Sequence, residues 1–478
     1  MMKNKKDLNL KRLKKNVKGI TLIALVVTVI VLLILAGVAI NLTLGENGLF
    51  KRAQNAVDTY DEASKREAIE LAVAGMQIGS TQGTGMTKQE LENLLKEQFG
   101  DEASVSDNED GSFLVTIGKN QYYVGENGEI IDSSNMVEIS TADELKAFRD
   151  DVNSGNTYEG KYVYLTDDIT LESTEEWEPI GYYDQETEDV KYPDTKDNKA
   201  FKGIFDGKNK EINGITITSS DEMCHGLFGL VINGTINNVV IGENNNISGR
   251  VRTAGVVGYL YGFEGNINNC VNYANISGGD TTGGIVGSIV GQHTIYNCKN
   301  YGNIVGIGGI VGGSNGTNYP QEFDNYSHKI INCENFGTIK SIGLNYAGGM
   351  VGYLKGNILN CCNKGTITGE ERAGGIVGNV DGSVENCYNI GDVNGDRVGG
   401  ILNEDSGSKI GGIAINCYSI GTVTGRNAGN IISSEDIKKD KIINCYTRDD
   451  NFTAENLSDL FKDDVENING GYPILYWE

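Results

Sequence analysis

Histidine is almost missing from this chain of 478 residues: only His225, His293 and His328 occur, and none opens an H-E-x-x-H pair. That leaves no helix-borne zinc-peptidase signature. Cation-ligand loops are equally hard to find. Asp206-x-Lys208-x-Lys210 places lysines where a calcium loop needs oxygens, and Ser106–Ile117 has Gly111 but no Glu at its twelfth position. Proline is scarce at 4 residues against 65 glycines, a balance that suits a fold turning every few residues rather than a disordered low-complexity chain. The nine cysteines are odd in number and widely spaced, so they read neither as a disulfide framework nor as a close metal-ligand set. No Ser-His-Asp or Cys-His arrangement stands out. Basic residues are also in short supply. The formal charge is −25, and since the first 19 residues carry eight Lys/Arg against one Asp, the remainder stands near −32. Such a body repels phosphate backbones, which argues against nucleic acid as a partner.

What the chain does have is repetition. An Asn-Cys pair returns at 269-270, 297-298, 332-333, 360-361, 386-387, 416-417 and 444-445, with cysteines 28, 35, 28, 26, 30 and 28 residues apart. A glycine phrase precedes each pair, as GGIVG at 283–287, 308–312 and 374–378 and GGMVG at 348–352. It is weaker at 254–258, 399–402 and 428–432. A period of this size is the mark of stacked repeats. Three residues before each cysteine stands an apolar residue (Ile267, Ile295, Ile330, Ile358, Val384, Ala414, Ile442), and six after the first six stands Ile or Val. Three short strands cannot bury an apolar face alone, but stacked at about 4.8 Å per rung they share one core. The expected fold is mainly β, a parallel β-helix.

The Asn before each Cys is expected to turn a left-handed corner, so that the apolar residue and the Cys both face inward. A second Asn column runs two residues past the Cys: Asn272, Asn300, Asn335, Asn363 and Asn389, continued by Ser419 and Thr447. Both columns suit side-chain ladders. The cysteines then act as small buried hydrophobes, labelled slowly, with Cys362 facing the other way and reacting first.

These residues carry a resemblance. GGIVG followed by I-x-N-C-x-N-x-G-x-[IV]-x-G resembles the GLUG repeat of bacterial surface proteins, from about residue 138 onward. The resemblance implies a surface location and a β-solenoid over 138–478, and names no single activity. Peptidases of the immunoglobulin-A-cleaving metalloprotease family carry the same repeat, but the missing H-E-x-x-H pair argues against that activity here. The stretch from Ile139 to Gly229 resembles the usual lead-in, with a helix capped by Thr141-x-x-Glu144 expected to cap the open end of the solenoid. Tyr472–Trp477, aided by Leu457–Phe461, is expected to close the far end.

The N-terminus has its own pattern. Residues 1–19 form a basic leader, and Ile20–Ile40 holds no charge. At 1.5 Å per residue that run spans roughly 31 Å, enough to cross a hydrocarbon core with the leader cytoplasmic and the acidic body outside. KGITLIALVVTVIVLLILAG resembles the leader junction of type IV prepilins. The resemblance implies cleavage between Gly19 and Ile20 by a prepilin peptidase, and other pilins as partners. Ala24 stands where pilins carry the Glu that pairs with a neighbour's terminal amine, so self-polymerisation is not expected. The membrane helix and its stalk are placed at 20–78, and a small α+β unit at 86–134.

Three residues past successive cysteines stand Tyr273, Tyr301 and Phe336, a candidate ligand strip. The reading that follows is a membrane-anchored, pilin-like, single-pass surface protein. It displays a non-catalytic β-helix for adhesion to a host glycan or protein, without cofactor or metal and with no catalytic residues. The alternative is a tethered enzyme degrading extracellular polysaccharide or protein on the same scaffold.

Overall fold

The computed structural model describes residues 49–79, 87–107, 113–125, 128, 130–182, 199–218, 224–263, 265–314, 327–403, 412–433, 441–450, 452–465 and 467–478. Gly19, Ile20 and the apolar run to Ile40 lie outside the described residues. Among those described, no helix is long and apolar enough to cross a membrane. The chain divides into two units, Met1–Ser133 and Ser134–Glu478.

In the first unit, helix α1 (Leu49–Gly79) and helix α2 (Lys88–Phe99) pack on a four-stranded antiparallel sheet. Its strands are β1 (Ala103–Asp107), β2 (Phe113–Ile117), β3 (Asn120–Val124) and β4 (Ile130–Asp132), paired in sequence order. Thr87 caps α2 by accepting from the Glu90 N–H, and Gly100 ends it with a φ of 59°. Alternation in β2 (Phe113, Val115, Ile117) supplies one apolar face, and α1 covers it with Ile69, Ala72 and Val73. The stalk and the small unit therefore share one core.

The second unit is a parallel β-solenoid, as the repeat demands. Helix α3 (Ala142–Ser154) follows β5 (Met136–Ile139) and closes the first coil. Thr141 and Glu144 form a complete capping box, and Leu145, Phe148 and Val152 are buried. Phe148 packs on Phe201 and Phe205 at ring separations of 5.7 and 5.9 Å, shielding the first coil's interior from water.

Each coil then follows one path. A long strand, continuous in Val351–Leu359 and Val377–Glu385, ends at the Asn-Cys corner. All seven corner asparagines have positive φ, between 51° and 55°. Two residues after the corner belong to a second sheet of ten strands, and a third sheet of eight strands holds the Ile/Val of Cys+6. Rungs stack in parallel register: Asn300 on Asn335, Asn335 on Asn363, Asn363 on Asn389. The core is a continuous file of Ile, Val and Cys, with Cys270, Cys298, Cys333, Cys361, Cys387 and Cys417 all buried within it.

The inner ladder forms throughout its asparagines, and the corner ladder forms except at Asn332, whose amide donates to the Tyr296 hydroxyl. In the interior, Asn272 Nδ2 donates to Asn300 Oδ1 at 2.8 Å, and the pattern continues through Asn335, Asn363 and Asn389. The second N–H of each amide goes to a backbone carbonyl two residues on, such as that of Gly302 for Asn300. At the corners the donation runs toward lower residue numbers: Asn297 to Asn269, Asn360 to Asn332, Asn386 to Asn360, Asn416 to Asn386.

The C-terminal segment departs from expectation. Phe452, Leu457, Phe461 and Leu475 do not sit on the end of the solenoid; they lie along the outer face of the second sheet, against Tyr388 and Tyr418. Ile443, on the last coil, stays 47 % exposed. The cause lies in the residues just after three late cysteines, Tyr388, Tyr418 and Tyr446, whose rings point outward and need cover. Burying a row of aromatics yields more than covering one rung's edge, since each ring contributes up to about 150–250 Å². Cys362, in the same outward column, does face away from the core, but the segment buries it completely. The half-buried cysteine is instead Cys445.

Candidate functional site

The candidate strip lies on the second sheet's outer side, where each two-residue strand presents Cys+1 outward, Asn inward and Cys+3 at the following corner. Identical offsets on successive rungs bring Tyr273, Tyr301 and Phe336 into one column. Their rings stack nearly parallel, 4.9 Å and 11° between the first pair, 4.5 Å and 7° between the second. Tyr273 and Tyr301 are each 39 % exposed. The inner ring faces are spent on one another, so along its side the column offers solvent its edges and phenol hydroxyls.

Polar residues that sequence reasoning passed over complete the site. In the Cys+3 column Lys364 follows Phe336, its Nζ 4.9 Å from the ring centroid. In the Cys+1 column Lys299 pairs with Glu334 at 2.7 Å. Lys364 bridges Glu334 at 3.1 Å and Glu478 at 2.7 Å. Tyr388 donates its hydroxyl to Glu478 at 2.5 Å. The Cys+1 offset of Lys299 and Glu334 and the Cys+3 offset that Lys364 shares with Phe336 were the available signal, whereas nothing in the repeat points to Glu478.

Burial opposes the charge on Lys364, but Cys362, Glu478 and Glu334 together outweigh it and hold the ammonium above the ordinary lysine range. The same burial pushes the Cys362 thiol well up, with Glu478 and Glu334 adding to the shift, so it is a poor nucleophile. Glu334, Cys362 and Glu478 bring their ligand-type atoms within 4.8 Å of one another. A cation would have to displace Lys364, whose ammonium already bridges both carboxylates. This is an ion-pair network, and both its carboxylates are almost wholly buried.

His293 and His328 stack at 5.7 Å and 10° inside the solenoid. Both ring nitrogens of His293 already face carbonyls, Gly265 O at 2.7 Å and Val290 O at 2.8 Å. Burial depresses His328 to about 3, with His293 and Lys355 adding to the effect. These two are core histidines.

No protein-family profile matches the chain, and no curated protein matches it. Among solved structures, a candidate immunoglobulin A1 protease from Bacteroides ovatus aligns over 72 % of this chain and 94 % of its own, at 19 % identity and a TM-score of 0.46. A second, an IgA1 protease, aligns over 72 % of this chain but only 25 % of its own, at 16 % identity and a TM-score of 0.38. Likeness at this level reaches no further than the fold. Both of these structures are named as proteases, which stands against the expectation of a non-catalytic body drawn from the sequence.

Proposed function

We propose that this chain is a membrane-anchored surface protein, delivered by a prepilin-like leader, whose β-helix engages an extracellular polysaccharide or protein in the course of degrading it. Support for the anchor is the basic leader followed by the uncharged run Ile20–Ile40, with an acidic body beyond. Prepilin peptidase and other pilins are the partners this anchor calls for. The observation that carries the engagement is the exposed column Tyr273–Tyr301–Phe336, extended by Lys364 along the solenoid axis. A column with a rung-by-rung repeat suits a polymer better than a small molecule, which would use one deep pocket.

The test is to incubate the full-length protein in detergent with panels of polysaccharides and proteins and to analyse the products by mass spectrometry. Fragments from one polymer class, lost or slowed at least tenfold in Tyr301→Ala, are expected. An unchanged rate in that variant would remove the column from the mechanism, and no products from any polymer would refute degradation.

A further inference from the structure

The outer face of the second sheet is one surface, roofed along its later rungs and open along its earlier ones. The roof is a peptide, Phe452–Glu478, and it shows what this face accepts. Phe452 lies on Tyr446 at 4.9 Å and 14°, and on Tyr418 at 5.3 Å. The Tyr418 hydroxyl donates to the Pro473 carbonyl. Glu478 receives the Tyr388 hydroxyl and the Lys364 ammonium. Rings meet rings, a phenol meets a backbone carbonyl, and a carboxylate meets a phenol and an ammonium.

The open rungs carry donors of the same types, with the phenols at Cys+3 instead of Cys+1. Tyr273 and Tyr301 offer two phenols, Phe336 a ring edge, and Lys299, two residues before Tyr301, an ammonium that Glu334 already pairs on one side. Stacking covers both faces of Tyr301, and Lys364 lies over the outer face of Phe336, so most of what the column presents sideways to solvent is ring edge. Ring edges carry the positive side of the aromatic quadrupole and attract carbonyl and carboxylate oxygens. The roofed and open halves are joined through Glu334, which pairs with Lys299 on one side and Lys364 on the other.

We infer that the open half binds an extended peptide bearing aromatic and acidic side chains, lying in line with the chain's own C-terminal segment and stopping where Glu478 and Lys364 close the face. This rests on the reading of the column as a polymer site and narrows the polymer to protein.

The probe is a fluorescent synthetic peptide copying Asn469–Glu478, measured by anisotropy against the full-length protein, beside a panel of labelled neutral oligosaccharides. The expected result is saturable peptide binding, weakened at least tenfold by Tyr301→Ala and at least threefold by Lys299→Gln, with unchanged circular dichroism in both variants. Peptide binding that both variants leave intact but Glu478→Gln enhances would mean displacement of the roof, and would overturn the inference. Oligosaccharide binding lost in Tyr301→Ala, without peptide binding, would overturn it while leaving the polymer reading standing. Binding of neither ligand would overturn both.

Discussion

Gly284 and Asn300 compete for one place in the solenoid: a Cβ on Gly284 would lie 2.5 Å from Oδ1 of Asn300. The same holds for Gly309 with Asn335 at 2.6 Å, and Gly349 and Gly375 sit equally close over Asn363 and Asn389. The glycine phrase and the inner Asn column thus recur together because one makes room for the other.

Gly309→Ala should therefore destabilise the solenoid by about 1–3 kcal/mol through overpacking against backbone and Asn335 alike. Thermal unfolding by circular dichroism checks this. A change within 0.5 kcal/mol would mean that the coil has slack the geometry does not suggest.

Asn300→Ala should cost as much or more, because it strands the Asn272 amide and the Gly302 carbonyl, each buried. An unsatisfied buried group costs about 1–3 kcal/mol. Asn300→Asp should be worse still, since it puts a carboxylate where the Gly302 carbonyl expects a donor. If Asp were tolerated better than Ala in denaturant titrations, the ladder's assigned donors would be wrong.

Thiol labelling of the native protein should reach Cys445 first and leave Cys298, Cys333 and Cys387 slow. Cys362 should also be slow, because Glu478 and its neighbours cover it, and should speed up in Glu478→Ala, which releases the Lys364 and Tyr388 ties. Equal Cys362 rates in both proteins would show that the segment does not hold the face shut.

These cases show how far the sequence carries. The Asn corners were readable because few residues besides Gly accept a left-handed backbone, and a fixed offset to Cys announces the turn. The Tyr273–Tyr301–Phe336 stack was readable for the same reason, as equal offsets become neighbours in a solenoid. The course of Phe452–Glu478 was not, since a segment outside the repeat has no offset to place it. A clue existed in Tyr388, Tyr418 and Tyr446, three outward aromatics in a row, which only a covering segment could bury.

Acid should weaken the solenoid through its histidines. Burial holds His328 at about 3 and also lowers His293, where desolvation outweighs two carbonyl partners. A histidine so depressed is neutral when folded, so its contribution is intact above the unfolded value near 6.5. It is lost as pH falls from there toward 3, at up to about 1.4 kcal/mol per pH unit. Stability measured from pH 7 to 4 should show this slope, reduced in His328→Gln. An identical slope in that variant would assign the acid sensitivity to carboxylates.

The leader makes a separate prediction. Intact mass of the native surface protein should show loss of residues 1–19, and Gly19→Val should retain them. Cells expressing the chain alone should show no pili by electron microscopy, because Ala24 cannot neutralise a buried terminal ammonium. Homopolymeric filaments would defeat the Ala24 argument.

The two Asn ladders have an electrostatic consequence. Along the interior the amides of Asn272 to Asn363 donate toward higher residue numbers, and along the corners those of Asn297, Asn360, Asn386 and Asn416 donate toward lower ones. Each file is a head-to-tail row of dipoles, the arrangement that gives an α-helix its poles. Either file alone would leave a partial charge at each end of the solenoid. Running oppositely within the same coils, the two files oppose each other, and the polarisation that strengthens each chain of hydrogen bonds leaves little field at the ends.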